Sequence, residues 1–119
     1  MPVSIKSNGI QFADSTVQTT AFKGIGVNQT WQNLTGSRAL STTYTNTTGV
    51  PIAVSVVLDI NSNTTVECQM FVDGLLIYHY HNNPNNSGIG TCVNAIVPPG
   101  STYSVTATGI PIQTWAELR

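Results

Sequence analysis

The sequence predicts an all-β fold, and three observations predict it. No stretch carries a 3.6-residue apolar period over the dozen or so positions that an independent helix needs. Ile52, Val54, Val56, Leu58 and Ile60 instead alternate with Ala53, Ser55, Val57 and Asp59, a period of two that places one face of a strand in a core. Short runs rich in Val, Ile, Thr and Tyr recur along the chain, punctuated by Asn, Gly and Pro. With 119 residues there is room for one small domain, which buries only about two-thirds of its unfolded surface, so self-association would add stability.

Residues 1–26 contain SNGIQFADSTVQTTAFKGIG, a polar segment with few core-forming residues that ends in a hinge at Gly24 and Gly26. They read as an extended stem joined to a head of residues 27–119. In the head, Trp31–Leu34 and Ala39–Thr45 are expected strands, followed by a turn at Asn46-Thr47-Thr48-Gly49 and the alternating strand from Pro51. The next run puts Val66, Cys68, Met70 and Val72 on one face, and Asp73-Gly74 supplies a two-residue hairpin turn. Regular pairing from that turn sets Val72 against Leu75, Met70 against Ile77, Cys68 against His79 and Val66 against His81. Phe71 then faces Leu76, Gln69 faces Tyr78 and Glu67 faces Tyr80. This second face is partly apolar, and it must meet another subunit, a ligand or solvent.

Asn82–Gly90 (NNPNNSGIG) is too polar and broken to continue the strand and reads as a long loop. Thr91–Val97 and Ser101–Thr108 are strands joined by the Pro-Pro-Gly turn, and Gln113–Leu118 is either a short helix or a last strand. Seven or eight short strands make a β-sandwich of jelly-roll type the expected head architecture.

Composition removes several functions. Only 8% of residues are charged, the net charge is −1, and more than a third of the chain is Ser, Thr, Asn or Gln. Such a surface has no counterion-release term for nucleic acid and no polybasic patch for lipid. No apolar run is long enough to span a membrane, and the first residues lack an export h-region, so neither membrane insertion nor signal-peptide secretion is expected. The sequons at Asn28, Asn33, Asn46, Asn63 and Asn85 then read as a consequence of composition rather than as glycosylation sites. The carboxylates Asp14, Asp59, Glu67, Asp73 and Glu117 form no pair at the separation that glycoside hydrolysis needs, and an enzyme is not expected.

GIQFADSTVQTTA (Gly9–Ala21) resembles the G-I-x-F-x-D-G-T-x-Q-T-T-A segment that recurs in tail fibre and tail spike proteins of bacteriophages and prophages. Ala13 and Ser15 stand where that segment usually has Pro and Gly around the Asp. GIGVNQTWQNLTGSRALSTTYTNTTGVPIAVSV, IVPPGSTYSV and the ending WAELR are together similar to a C-terminal head domain of such fibres. The resemblance implies a homotrimeric tip on the virion that recognises a bacterial surface polysaccharide, joined to the rest of the fibre, assembled in the host cytoplasm and released by lysis. In such a trimer Ile10, Phe12 and Val17 would point at the three-fold axis. Cytosolic assembly would keep Cys68 and Cys92 as free thiols. A purely structural fibre-tip or virion decoration module, and a stand-alone lectin, are the alternatives.

For saccharide contact the candidates are Tyr78 and Tyr80, on the expected non-core face, with the amides of Asn82, Asn83, Asn85 and Asn86 beside them. Tyr44, Tyr103, Trp31 and Trp115 are weaker candidates, since most aromatics in a small head are core. His79 and His81 form an H-x-H pair that three copies around an axis could turn into a six-imidazole metal site. With no repeat of the pair, ordinary polar contacts are the expectation, and neither a resident metal nor a cofactor is expected.

Overall fold

The computed structural model describes residues 2–59, 65–82 and 91–119. The first strands build a small sheet of their own: β1 (Ser4–Lys6), β2 (Gly9–Gln11) and β3 (Val17–Gln18) pair antiparallel in that order. Gly9 has φ +139°, and a Cβ there would collide with the backbone of Gln18. The β2–β3 turn closes through hydrogen bonds from Phe12 N to Thr16 O (2.9 Å) and from Ser15 N to Phe12 O (3.0 Å). Ser15 adopts φ 70°, the left-handed conformation that a glycine takes without strain. Asp14 Oδ1 braces the turn by accepting from Thr16 N (3.0 Å) and Thr16 Oγ1 (2.6 Å).

Ile10 lies opposite Ile5 and Gln18, whereas Val17 lies opposite Gln11. Directly opposed residues share a face, so Ile5 and Ile10 point one way and Val17 the other. The common direction expected of Ile10, Phe12 and Val17 is thereby corrected, because the turn at 12–16 sets Val17 on the opposite side of the pleat. Ile5 is 88% and Val3 59% exposed, and Ile10 and Phe12 are partly exposed, so the described residues leave much apolar surface of this sheet uncovered.

Beyond the stem come β4 (Trp31–Asn33), a 3-10 turn (Thr35–Ser37), β5 (Tyr44–Thr45), β6 (Ile52–Leu58), β7 (Val66–Val72), β8 (Leu75–Asn82), β9 (Thr91–Val97), β10 (Thr102–Thr108) and β11 (Ile112–Leu118). They form two four-stranded antiparallel sheets: sheet I in the order β5-β10-β7-β8, and sheet II in the order β4-β11-β6-β9. Except for the β7–β8 hairpin, every connection in the head passes from one sheet to the other. No stem strand pairs with a head strand among the described residues, and the molecule is elongated, 64 × 26 × 22 Å.

The expected alternation in β6 is observed: Ile52, Val54, Val56 and Leu58 are buried. Val66, Cys68 and Met70 of β7, Val93 and Val97 of β9, Tyr103 and Val105 of β10 and Trp115 of β11 join them in one cluster fed by both sheets. Each large apolar side chain so buried contributes about 1.5–3 kcal/mol. Cys68 points into this core while Cys92 of β9 is exposed, and both are free thiols. Burial pushes the Cys68 thiol up to about 11.

Two expected elements differ. The strand at Trp31–Leu34 stops at Asn33, whose Oδ1 accepts from Thr35 N (3.1 Å) and Thr35 Oγ1 (2.6 Å) and bends the chain into the 3-10 turn. Of Ala39–Thr45 only Tyr44 and Thr45 are strand. Ser41 adopts φ 57° and donates its N–H to Val105 O (2.8 Å), and the Tyr44 hydroxyl accepts from Ala39 N (2.9 Å), so side-chain and turn bonds replace a ladder. Gln113–Leu118 is strand, paired with β4 on one side and β6 on the other.

Asn46 is buried at the turn where β5 leaves for β6. Its Nδ2 donates to Val50 O (2.7 Å), Val97 O (3.0 Å) and Pro98 O (3.1 Å), and its Oδ1 accepts from Thr48 N (3.1 Å) and Thr48 Oγ1 (2.7 Å). Both amide hydrogens are engaged, which leaves no place for a glycan at this sequon. Asn46→Ala is expected to destabilise the head by about 3 kcal/mol, because buried carbonyls lose their donor. Asn46→Asp should be worse, since it turns an oxygen toward three carbonyls. Denaturant titration of the two variants checks the order, and a milder Asp variant contradicts it.

Candidate functional site

Asp73 and Gly74 adopt φ 51° and 76°, the paired left-handed geometry of a type I′ turn, as the dipeptide predicts. The tip is docked onto the start of β10. Asp73 Oδ2 accepts from Ser101 Oγ (2.7 Å), Oδ1 accepts from Thr102 N (2.8 Å), and Asp73 N donates to Thr102 O (2.9 Å). The Ser101 hydroxyl and the Thr102 amide hold the Asp73 carboxyl below its usual range.

From the turn, Val72 pairs with Leu75 and Phe71 with Leu76, as expected, but a β-bulge follows. Ile77 is the extra residue, and Met70 now pairs with Tyr78, Gln69 with His79, Cys68 with Tyr80 and Glu67 with His81. The expected pairs of Cys68 with His79 and of Val66 with His81 are thus corrected, and both faces of β8 beyond the bulge exchange roles. Regular pairing would set two imidazoles against the core beside Cys68 and Val66, where an unsatisfied ring nitrogen costs free energy. The bulge sends the tyrosine rings inward instead. Tyr78 and Tyr80 are half-buried and pack against the core, so they are not the outward aromatic platform that the sequence suggested.

Beyond the bulge the outward face of β7 and β8 is polar, whereas nearer the turn Phe71 pairs with Leu76 on that face, and Leu76 and Ile77 are exposed. His79 Nε2 lies 3.0 Å from Glu67 Oε1, both side chains are about half exposed, and Gln69 Nε2 donates to the same oxygen at 3.4 Å. His81 lies opposite Glu67, and Thr106 and Thr108 of β10 continue the rows through Gln69 and Glu67. The inward-facing H-x-H geometry is corrected accordingly: His79 and His81 face outward. Among the described residues no group of three His, Cys, Asp or Glu is placed to hold a metal ion. Asn82 is the last residue of β8. Asn83, Asn85 and Asn86 lie outside the described residues.

A buried cluster that the sequence did not single out surrounds Glu117, which has no exposed surface. Its Oε1 accepts from Tyr103 OH (2.8 Å), Arg38 Nε (2.9 Å) and Trp115 Nε1 (3.0 Å); its Oε2 accepts from Arg119 Nη1 (2.8 Å) and Arg38 Nη2 (3.3 Å). The Arg38 guanidinium also lies 4.6 Å above the Tyr44 ring. Burial pushes the Glu117 carboxyl up, but the bonds from Arg38, Tyr103 and Trp115 outweigh it and hold the carboxyl below its usual value. Burial, with Glu117 beside it, raises the Tyr103 phenol to about 12. A signal was available: Trp115, Glu117 and Arg119 alternate, so reading this segment as strand puts all three on one side. With every carboxylate lone pair facing a protein donor and no access to solvent, the cluster joins elements and presents nothing to a ligand.

Trp31 and Asn33 of β4, Leu118 of β11, Ala53 of β6 and Ile96 of β9 lie on the outer face of sheet II. Trp31 is 57% and Ile96 58% exposed. A shallow recess of about 250 Å³ is lined by these two with Ala53, Val54, Asn94 and Ala95.

Comparison with known proteins finds no matching family model, no similar curated protein and no similar solved structure.

Because the folded Glu117 carboxyl sits below its unfolded value of 4.5, its stabilisation is complete at neutral pH and is lost as pH falls through the folded value. Asp73 and Asp14, both lowered, act in the same direction. The melting temperature should therefore be flat from pH 7 to about 5 and fall below that. Glu117→Gln should lose about 3–5 kcal/mol at pH 7 by stranding Arg38 and Arg119. It should also show a shallower acid limb; thermal melts across pH 2–7 giving an unchanged limb would remove Glu117 from the account.

Proposed function

We propose that this chain is the stem and distal head of a bacteriophage tail fibre, a homotrimer whose β-sandwich head recognises a saccharide on the bacterial surface. The observation that carries the reading is the pairing of an elongated stem with exposed apolar side chains and a head whose surface is nearly uncharged. The stem leaves Ile5 almost bare and Ile10 and Phe12 partly exposed among the described residues, and a three-stranded sheet of two- and three-residue strands is too small to stand alone. Copies wound around an axis supply the missing partner. The resemblance of Gly9–Ala21 to the recurrent fibre segment supports the same reading, and the turn at Asp14 forms although Ser15 stands in the glycine position.

The outward face carrying Glu67, Gln69, His79 and His81 belongs to the hairpin whose second strand ends at Asn82, and Asn83, Asn85 and Asn86 follow in the sequence. Amides and hydroxyls suit the mixed donor and acceptor character of a sugar. One such site is expected to bind at about millimolar affinity, and three on one tip raise the apparent affinity by about 10² to 10⁴. The inward turn of Tyr78 and Tyr80 removes the aromatic platform from this face and favours, as second reading, a structural tip with no ligand of its own.

Light scattering at micromolar concentration is expected to give the trimer mass, and a monomer mass contradicts the fibre reading. Replacing residues 83–86 with a Gly-Ser linker is expected to leave the trimer folded and to cut adsorption to host cells at least tenfold. A folded variant that adsorbs as well as the parent excludes this segment as the binding site, and a parent that binds neither cells nor a glycan array leaves the structural tip as the reading.

A further inference from the structure

We infer that the outer face of sheet II, centred on Trp31, Ala53, Ile96 and Leu118, is where copies of this chain meet in the head. The inference rests on the reading of the chain as an oligomer and names the face that makes it.

Strand register puts Trp31 opposite Leu118, Leu118 opposite Ala53 and Ala53 opposite Ile96, so one apolar row crosses all four strands of sheet II. The next row inward is Asn33, Ala116, Ser55 and Asn94, and the row beyond it holds Thr114, Val57 and Cys92. None of these positions carries a charge. The outer face of sheet I instead mixes the charged and titratable Glu67, His79 and His81 with Phe71 and the exposed Leu76 near the turn. Identical copies can press uncharged faces together without like-charge repulsion, and interface centres are depleted in charge and enriched in aromatics.

Three observations select a second copy as the occupant. The stem exposes Ile5 and parts of Ile10 and Phe12, which further copies would cover, and a head contact would continue that association along the same elongated molecule. The chain exposes 7057 Å², whereas a compact monomer of its mass exposes about 6,200 Å²; the excess, shared between stem and head, is slightly more than the area of about 800 Å² that one partner loses in a standard interface. The recess of about 250 Å³ lined by Trp31, Ala53 and Ile96 has the small Ala53 in it and would take a side chain from a facing copy. A sugar stacked on Trp31 alone would leave Ile96 and Leu118 bare.

Cys92 provides the test, because it lies on this face and is exposed in the single chain, whereas Cys68 is buried in the core and reports an intact fold. The full chain is treated with a small maleimide under native conditions, with mass read by light scattering. In the oligomer Cys92 is expected to label at least tenfold more slowly than in the urea-unfolded chain. Ile96→Lys, at an exposed position, should restore fast labelling of Cys92 while Cys68 stays protected, whether or not the stem still holds copies together. Leu75→Lys at the tip of sheet I should leave Cys92 slow.

An oligomer in which Cys92 labels freely overturns the inference and moves the contact elsewhere. Slow labelling that Ile96→Lys does not relieve overturns it too. A chain that is monomeric at every concentration overturns the oligomeric reading itself. A monomer whose Trp31 fluorescence shifts with added host polysaccharide would make this face a ligand site.

Discussion

A single buried carboxylate holds the two halves of the head in register. Glu117 belongs to sheet II, and Tyr103, which donates to it, belongs to sheet I. Arg38 brings in the segment between the 3-10 turn and β5, which has little ladder bonding of its own, and Arg119 adds the residue after β11. Tyr44 completes the cluster, its ring 5.9 Å from the rings of both Tyr103 and Trp115 and beneath the Arg38 guanidinium. A well-packed apolar cluster could match such a buried ion pair in stability, but removal of one partner strands a charge in a medium that solvates it poorly. The segment from Leu34 to Thr45 therefore has one place to go, and that place is defined by the charge it must neutralise.

A second device recurs three times. At Asp14-Ser15-Thr16, Asn33-Leu34-Thr35 and Asn46-Thr47-Thr48, the side-chain oxygen of the first residue accepts from both the amide and the hydroxyl of the third. This local pairing competes with a β ladder and turns the chain, which is why each motif ends or interrupts a strand. It also gives a physical account of two sequons: Asn33-Leu34-Thr35 and Asn46-Thr47-Thr48 are turn-forming pairs whose oxygens are occupied. Part of the chain's wealth of amides and hydroxyls thus works inside the molecule, in place of the charges that it lacks.

The two outer faces of the head differ in chemistry because of one extra residue. With the bulge at Ile77, β8 shows water its imidazoles and gives the core its tyrosines, so sheet I's outer face is polar beyond the bulge and apolar only near the turn, at Phe71 and Leu76. Sheet II keeps an uncharged surface with Trp31 and Ile96 standing out of it. On the proposed reading, the side with the imidazoles is free for a saccharide, while the uncharged side is covered by further copies.

Strand existence was legible in the sequence wherever both faces obey a period of two. β6, β9 and β10 appear within a residue or two of their expected bounds, the Asp73-Gly74 turn is where the dipeptide places it, and the core side of β7 follows from its alternation. The stem's apolar side chains and the mostly uncharged surface were equally plain, since both depend on composition and local order alone. What tertiary structure decided is whatever depends on a partner distant in sequence. Counting by twos cannot place a bulge, because Ile77 is displaced by the preference of Tyr78 and Tyr80 for a core made by other strands. The direction of Val17 depends on how the turn at Asp14 seats β3 against β2. Glu117 reads as one more carboxylate until Arg38 and Tyr103, 79 and 14 positions away, are folded around it. Short-range sterics and the hydrophobic period write the strands into the sequence; desolvation of a few polar groups, settled only when the sheets meet, chooses which way their faces turn.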